Sequence, residues 1–163
     1  MKVKDLMSTG ITCAGETTPA LQLAAHMKRN NIGSVPVCDD AGHIKGIVTD
    51  RDLVLRALGR KTSIEDITAG DIMTVDPVTV TPDTGIHDAA LLFSAYKIRR
   101  LPVTEASRIV GMLSLGDVAA KPVYIDEAGD ALSAISHTDG LDPAGTLRSA
   151  GGSSSAGGPR SGN

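Results

Sequence analysis

Apolar residues recur at helical intervals in two stretches of the chain, Ala20, Leu23, Ala24 and Met27, then Ile86, Ala89, Ala90 and Phe93. Each set stands at i, i+3, i+4 and i+7, the stripe of an amphipathic helix with one buried face. The stripes lie 66 positions apart, 20 to 86. β-rich segments follow each: Ser34-Val35-Pro36-Val37 with Ile44 to Val48, then Arg100-Leu101-Pro102-Val103 with Ile109 to Leu113. Ahead of the helices, Ile11-Thr12-Cys13 and Val78-Thr79-Val80 predict one further short strand each. Thr18-Pro19 predicts an N-cap followed by proline at the first helical position. Pro36 and Pro102 place their strands at a sheet edge or strand end, since proline offers no N–H to a ladder. Asp39-Asp40-Ala41-Gly42 and Glu105-Ala106-Ser107 supply the turns between strands.

The repetition reaches the residues themselves. Asp5-Leu6-Met7-Ser8 returns as Asp71-Ile72-Met73-Thr74, and Gly46-Ile47-Val48-Thr49-Asp50-Arg51-Asp52 returns as Gly111-Met112-Leu113-Ser114-Leu115-Gly116-Asp117. The chain is therefore a tandem duplication of a strand, helix, strand, strand, helix unit. The closing helix, Leu53-Val54-Leu55 with Ala57 and Leu58, is cut short in the second copy by Lys121-Pro122. A unit of this size has a marginal core, the more so with no Trp and a single Phe in 163 residues. Two units packed face to face through their sheets would cover what each leaves open. The expected class is α+β: tandem β-α-β-β-α repeats forming a pseudo-twofold pair. Repeat 1 with its connector spans 1–66 and repeat 2 spans 67–122. Residues 123–136 add a short C-terminal helix, and 137–163, rich in Gly and Ser, read as a disordered tail or linker.

Net charge is −3 with acids and bases interspersed, which argues against a nucleic-acid partner. No apolar run approaches the ~18 residues of a membrane span, and Met1 to Asp5 lacks a signal-peptide pattern. The expectation is a soluble, cytoplasmic protein. His26, His43, His87 and His137 are scattered without metal-ligand spacing. No nucleophile stands beside a base, so an enzyme has no support. Met7 and Met73 read as core plugs.

The duplicated Gly-x-x-Thr/Ser-x-x-Asp motif admits two readings. Thr49 and Ser114 suit the N-cap, with Asp52 and Asp117 at the third helical position, where a negative charge favours the helix dipole. Alternatively, hydroxyl and carboxylate face a ligand, and the carboxylate accepts hydrogen bonds from ribose hydroxyls. The leading Asp-Leu-Met or Asp-Ile-Met, the Val-Pro-Val or Leu-Pro-Val strand and this motif, in that order twice, resemble the CBS-domain pair, or Bateman module. The resemblance covers roughly residues 3 to 120. The first half is also similar to stand-alone CBS proteins of the hypoxic response protein type.

The resemblance implies two clefts for adenosyl ligands (AMP, ADP or ATP, or S-adenosylmethionine) as regulatory ligands, with no cofactor required. In the first cleft Thr49 and Asp52 would meet the ribose. Ile11, Thr12, Val35 and Pro36 would flank the base, and Arg99 and Arg100 of the other repeat would meet phosphate. In the second, Ser114, Asp117, Val78, Thr79, Leu101 and Pro102 play those parts, with Arg51 for phosphate. Arginine suits that task because its planar fork stays ionised. Gly33-Ser34 stands where repeat 2 has Arg99-Arg100, and Gly116 where repeat 1 has Arg51, so the Thr49/Asp52 cleft should be the more electropositive. A solvated arginine pair is the alternative.

The family also implies a homodimer and an unidentified regulated protein. Cys13 and Cys38, the only cysteines, fall on neighbouring strands in that fold, so they are either free thiols or a disulfide. The competing function is a structural or interaction protein that binds no nucleotide.

Overall fold

Each repeat centres on an antiparallel hairpin. In the computed structural model, which describes residues 1–60 and 62–137, β1 (Ser34–Cys38) pairs with β2 (Ile44–Thr49), and β4 (Arg100–Glu105) with β5 (Arg108–Ser114). Apart from His137, the expected tail lies outside the described residues. Gly42 turns the first hairpin at φ 82°, whereas Ala106 and Ser107 turn the second at φ 46° and 65°.

The strands expected at Ile11 to Cys13 and Val78 to Val80 shrink to single parallel bridges, Ala14 to Val37 and Val80 to Val103. The reason is the proline. Cys38 donates to the Ala14 carbonyl and Ala14 donates to the Pro36 carbonyl, but Pro36 has no N–H with which to reach Thr12. Pro102 stops the second ladder in the same way after Val80 donates to its carbonyl. β1 is accordingly an edge strand of the order β1-β2-β3.

The two stripes form α1 (Ala20–Asn30) and α4 (Ile86–Tyr96), which bury Ala20, Leu23 and Met27, and Ile86, Ala89, Ala90 and Phe93. Both helices end on a left-handed residue, Asn31 or Lys97. Thr18 does not cap α1: Pro19 holds that position, and the Thr18 hydroxyl accepts from the Gly15 N–H. The first amide of each helix is served from elsewhere, Ala20 donating to the Ile67 carbonyl and Ile86 to the Met1 carbonyl.

Those two bonds belong to an exchange of leading segments. Val3 is fully buried in the repeat 2 core beside Phe93 and Leu101, with Leu6 and Met7 packed against it. Reciprocally, Ile67, Ala69 and Ile72 are buried in the repeat 1 core beside Leu23 and Val48. The short helix α3 (Ala69–Ile72) leads into β3 (Thr74–Val75), which pairs with β2 at Ile47 and Gly46. Ser8 bridges Met112 of β5 in the matching place. The boundary at residues 66 and 67 thus separates sequence repeats, not cores. The hairpins also meet directly, through the bridge of His43 with Arg108.

After the motif, repeat 1 forms α2 (Asp50–Asp52) and runs on as a π-helical turn, Leu53–Leu58. In repeat 2, α5 (Leu115–Ala119) stops short of Lys121-Pro122, and α6 (Ile125–Ser136) follows. α6 packs on α4 and α5 through Ala128 and Ala131, 4% and 1% exposed.

Candidate functional site

Both copies of the motif close as capping boxes. The Thr49 N–H and hydroxyl each donate to Asp52 Oδ2 at 2.8 Å, and the Asp52 N–H donates back to Thr49 Oγ1 at 3.2 Å. The corresponding Ser114 and Asp117 distances are 2.8, 2.7 and 3.1 Å. Two otherwise orphaned amides are satisfied at each helix start. Asp52 carries one further contact, Arg56 Nε to Oδ1 at 3.4 Å, on a carboxylate whose side chain is only 13% exposed. The motif glycines are needed by the exchanged leaders. A Cβ on Gly46 would lie 2.5 Å from Met73 Sδ, and one on Gly111 2.7 Å from Met7 Sδ. The two methionines thus plug the seams over the opposite repeat's motif.

The motifs converge on one large cleft of about 1460 Å³. Thr49, Arg51 and Asp52 line it from repeat 1; Val78, Arg99, Arg100 and Ser114 line it from repeat 2. Other predicted contacts are not brought there. Leu101 is fully buried in β4, Pro36 and Pro102 are buried in their strands, and Ile11 and Thr79 lie outside the cleft. Thr12 and Val35 border a separate pocket of about 210 Å³ under α1. Val35 is 1% exposed, because its side chain takes the core-facing side of β1. Asp117 does not line the cleft; its Oδ2 is turned to Ser114. One cleft therefore collects parts expected in two.

Its electrostatics follow from unpaired cations. Arg51, Lys97, Arg99 and Arg100 line the cleft with Asp50, Asp52 and Asp76, and none of the four makes an ion pair within 4.0 Å among the described residues, although Lys97 donates to the His137 carbonyl at 3.2 Å. Arg100 reaches repeat 1. A Cβ on Gly33 would fall 2.7 Å from Arg100 Nη2 and 3.0 Å from Asp50 Oδ2, so glycine at 33 leaves room for the guanidinium. Unpaired guanidinium groups of this kind can hold an anion with several oxygens.

Sequence reading missed Tyr96, Lys97 and the α6 wall, where Gly129, Leu132 and Ile135 line the cleft. The spacing of Ile125, Ala128, Leu132 and Ile135 was a helical signal, but nothing in it says what the helix faces.

Cys13 and Cys38 are free, with sulfurs 2.6 Å apart. Burial pushes the Cys38 thiol up to about 12, and the hydrogen bond with Cys13 adds to the effect. Among the described residues no group of three or more His, Cys, Asp or Glu is placed to hold a metal ion. No described helix is long and apolar enough to cross a membrane.

Two units that exchange their leading segments, each closed by a Thr/Ser-x-x-Asp cap at a shared cleft, define a class of paired tandem domains. The family model for the CBS domain matches residues 3–59 and again 69–124, and the chain belongs to the CBS-domain family. Such pairs are regulatory modules and generally not catalytic. The chain is 38% identical over 140 residues to the uncharacterized protein YlbB of Bacillus subtilis, covering 85% of this chain and 93% of that protein. It is 30% identical over 116 residues to Hypoxic response protein 1 of Mycobacterium tuberculosis, covering 71% and 81%.

Among solved structures, Hypoxic Response Protein I with two coordinated zinc ions superimposes with a TM-score of 0.68 at 29% identity, covering 74% of this chain and 98% of that one. CBSX2 in complex with AMP, from Arabidopsis thaliana, gives 0.66 at 30% identity, covering 77% and 98%. The CBS pair of MJ0100 with 5-methylthioadenosine and S-adenosylmethionine gives 0.68 at 27% identity, covering 74% and 94%.

Proposed function

We propose that this chain is a sensor of adenosyl compounds that signals to a partner protein through the packing of its two repeats. The observation that carries the reading is the convergence of Thr49, Asp52 and Ser114 in one cleft with three arginines, Arg51, Arg99 and Arg100, that make no ion pair among the described residues. AMP in CBSX2 and S-adenosylmethionine in MJ0100 support the ligand class. Asp52 takes the ribose hydroxyls, because its Oδ1 holds only the long Arg56 contact. Arg51, Arg99 and Arg100 take the phosphates. Asp117 keeps its capping role.

Calorimetry with AMP, ADP, ATP and S-adenosylmethionine tests this reading. The double variant Arg99→Ala/Arg100→Ala should weaken ATP at least about tenfold while changing S-adenosylmethionine far less, since charge-assisted hydrogen bonds to phosphate are lost. Asp52→Ala should weaken all four. A ligand at 100 times its dissociation constant should stabilise the protein by about 2.7 kcal/mol. A thermal shift flat across all four would instead favour a structural or interaction protein.

Two further assignments accompany this reading. A second copy covers the exposed apolar residues of two touching elements, Leu21 of α1 and Val54, Leu55 and Leu58 of the π-helical turn, each 46% or more exposed. Leu55→Glu should then convert a dimer to a monomer in sedimentation, and an unchanged mass would refute the assignment. Cys13 and Cys38 form a disulfide under oxidation, adding about 3 kcal/mol in the chain-entropy model. Two alkylatable thiols after exposure to oxidised glutathione would rule that out.

A further inference from the structure

Residues matched to the CBS domain end at 124, yet the wall of the cleft continues past them. Gly129, Leu132 and Ile135 of α6 line the same space as Arg99, Arg100 and Ser114. Tyr96, at the end of α4, the helix against which α6 packs, lines the same cleft and is 57% exposed, in a chain with only two tyrosines, one phenylalanine and no tryptophan. Pro77, Val78 and Ile98 complete an apolar sector beside the cationic one. The strand residues that the family pattern offers to a base, Leu101 and Pro102, are buried away from the cleft.

We infer that α6 is a part of the ligand site: Leu132 and Ile135, with Tyr96 of the neighbouring helix, form the apolar subsite for the purine base, and ligand binding and α6 seating are therefore coupled. The inference rests on the adenosyl reading above. A flat heteroaromatic base gains from stacking on an aromatic ring and from contact with aliphatic side chains. Its anionic tail would then reach Arg99 and Arg100, which line the same cleft. α6 sits on α4 and α5 largely through alanines, Ala128 and Ala131, so its seat is shallow. A ligand that touches both α6 and the repeats must bind more tightly when α6 is seated, and by linkage it must hold α6 in place. α6 is thereby the element through which occupancy becomes visible to a partner.

Gly129 offers a clean test. A Cβ there would meet nothing within 4 Å, and the residue lines the cleft, so a larger side chain enters empty space without displacing a neighbour. Leucine is also a better helix former than glycine, so Gly129→Leu should melt no lower than wild type. Calorimetry with AMP, ATP and S-adenosylmethionine should show at least a tenfold loss of affinity for Gly129→Leu. Hydrogen exchange on the wild type should show slower exchange of the amides of residues 125–136 when AMP is added. Wild-type binding that Gly129→Leu leaves unchanged would overturn the role of α6 while sparing the adenosyl reading, as would α6 exchange that AMP does not slow. A wild type that binds none of the three compounds would overturn both.

Discussion

The two repeats carry the same motif in different surroundings. In repeat 1, Asp52 lies 3.4 Å from Arg56, which also donates to the Ile72 and Met73 carbonyls at the end of α3. In repeat 2 the matching position is Lys121, which makes no ion pair among the described residues, and Pro122 ends the helix there. Cys13 and Cys38 are matched by Thr79 and Thr104. Val54 and Leu55, both more than half exposed, are matched by Ala119 and Ala120, beside which α6 packs. What duplication kept is what the backbone needs: glycine under a methionine, and a hydroxyl-carboxylate cap on the following helix. What diverged is charge and surface. The common part is scaffold, and on the proposed function the asymmetry is what sets the two motifs apart as ligand contacts.

The comparison can be broken most forcefully in the cores. Phe93→Ala in repeat 2 should cost about 3–5 kcal/mol and Leu23→Ala in repeat 1 about 2–5 kcal/mol. Because each core contains the other's leader, calorimetry should show one transition for either variant; two separated transitions would mean that the repeats are independent. Next come the glycines. Gly46→Ala and Gly111→Ala should each destabilise by about 1–3 kcal/mol in urea, since methionine and a backbone carbonyl stand in the way. Gly46 should be the worse, with Sδ at 2.5 Å against 2.7 Å.

Removing the caps sharpens the contrast. Thr49→Ala and Ser114→Ala should cost about 0.5–2 kcal/mol each and by similar amounts, as equivalent caps would. A several-fold difference in their effect on AMP affinity would then report function alone.

The smallest effect concerns pH. Hydrogen bonds from Lys4 and Lys2 lower Asp83 from an ordinary 3.8 to about 2. A depressed carboxylate stabilises the fold above its unfolded value and ceases to do so as pH falls through its folded value. The melting temperature should therefore carry a small extra slope between about pH 4 and pH 2 that Asp83→Asn removes; an identical slope in the variant would count against the clasp.

Much of this was legible in the chain. The repeated stripes gave α1 and α4, the repeated prolines gave edge strands, and Lys121-Pro122 gave the short α5. The family resemblance is supported over residues 3–59 and 69–124. The leader exchange was not legible, because Asp5-Leu6-Met7 and Asp71-Ile72-Met73 are nearly the same segment and either would fit either core. The Thr18 cap failed because the Ile67 carbonyl, a tertiary partner 47 positions from Ala20, took the amide first. Of the site, Thr49, Ser114, Asp52 and the three arginines reached the cleft, while Asp117 and most strand positions did not. Alternation along a strand says which residues share a face, but not which face meets a cavity.

The exchanged leaders also determine how the chain can come apart. Lys2 reaches Asp83 across 81 positions, and Val3 completes a core whose other members begin at Val80. Contacts at such separation raise the contact order and slow folding, since a long loop must close before they form. Neither half of the chain, cut in the connector, holds a whole core of its own. Two such fragments should stay incomplete alone and assemble when mixed, each lending its first residues to the other. A single unit could satisfy the same exchange only by pairing with a second copy of itself, so one chain carrying two units makes permanent what a symmetric dimer of one unit would achieve by association.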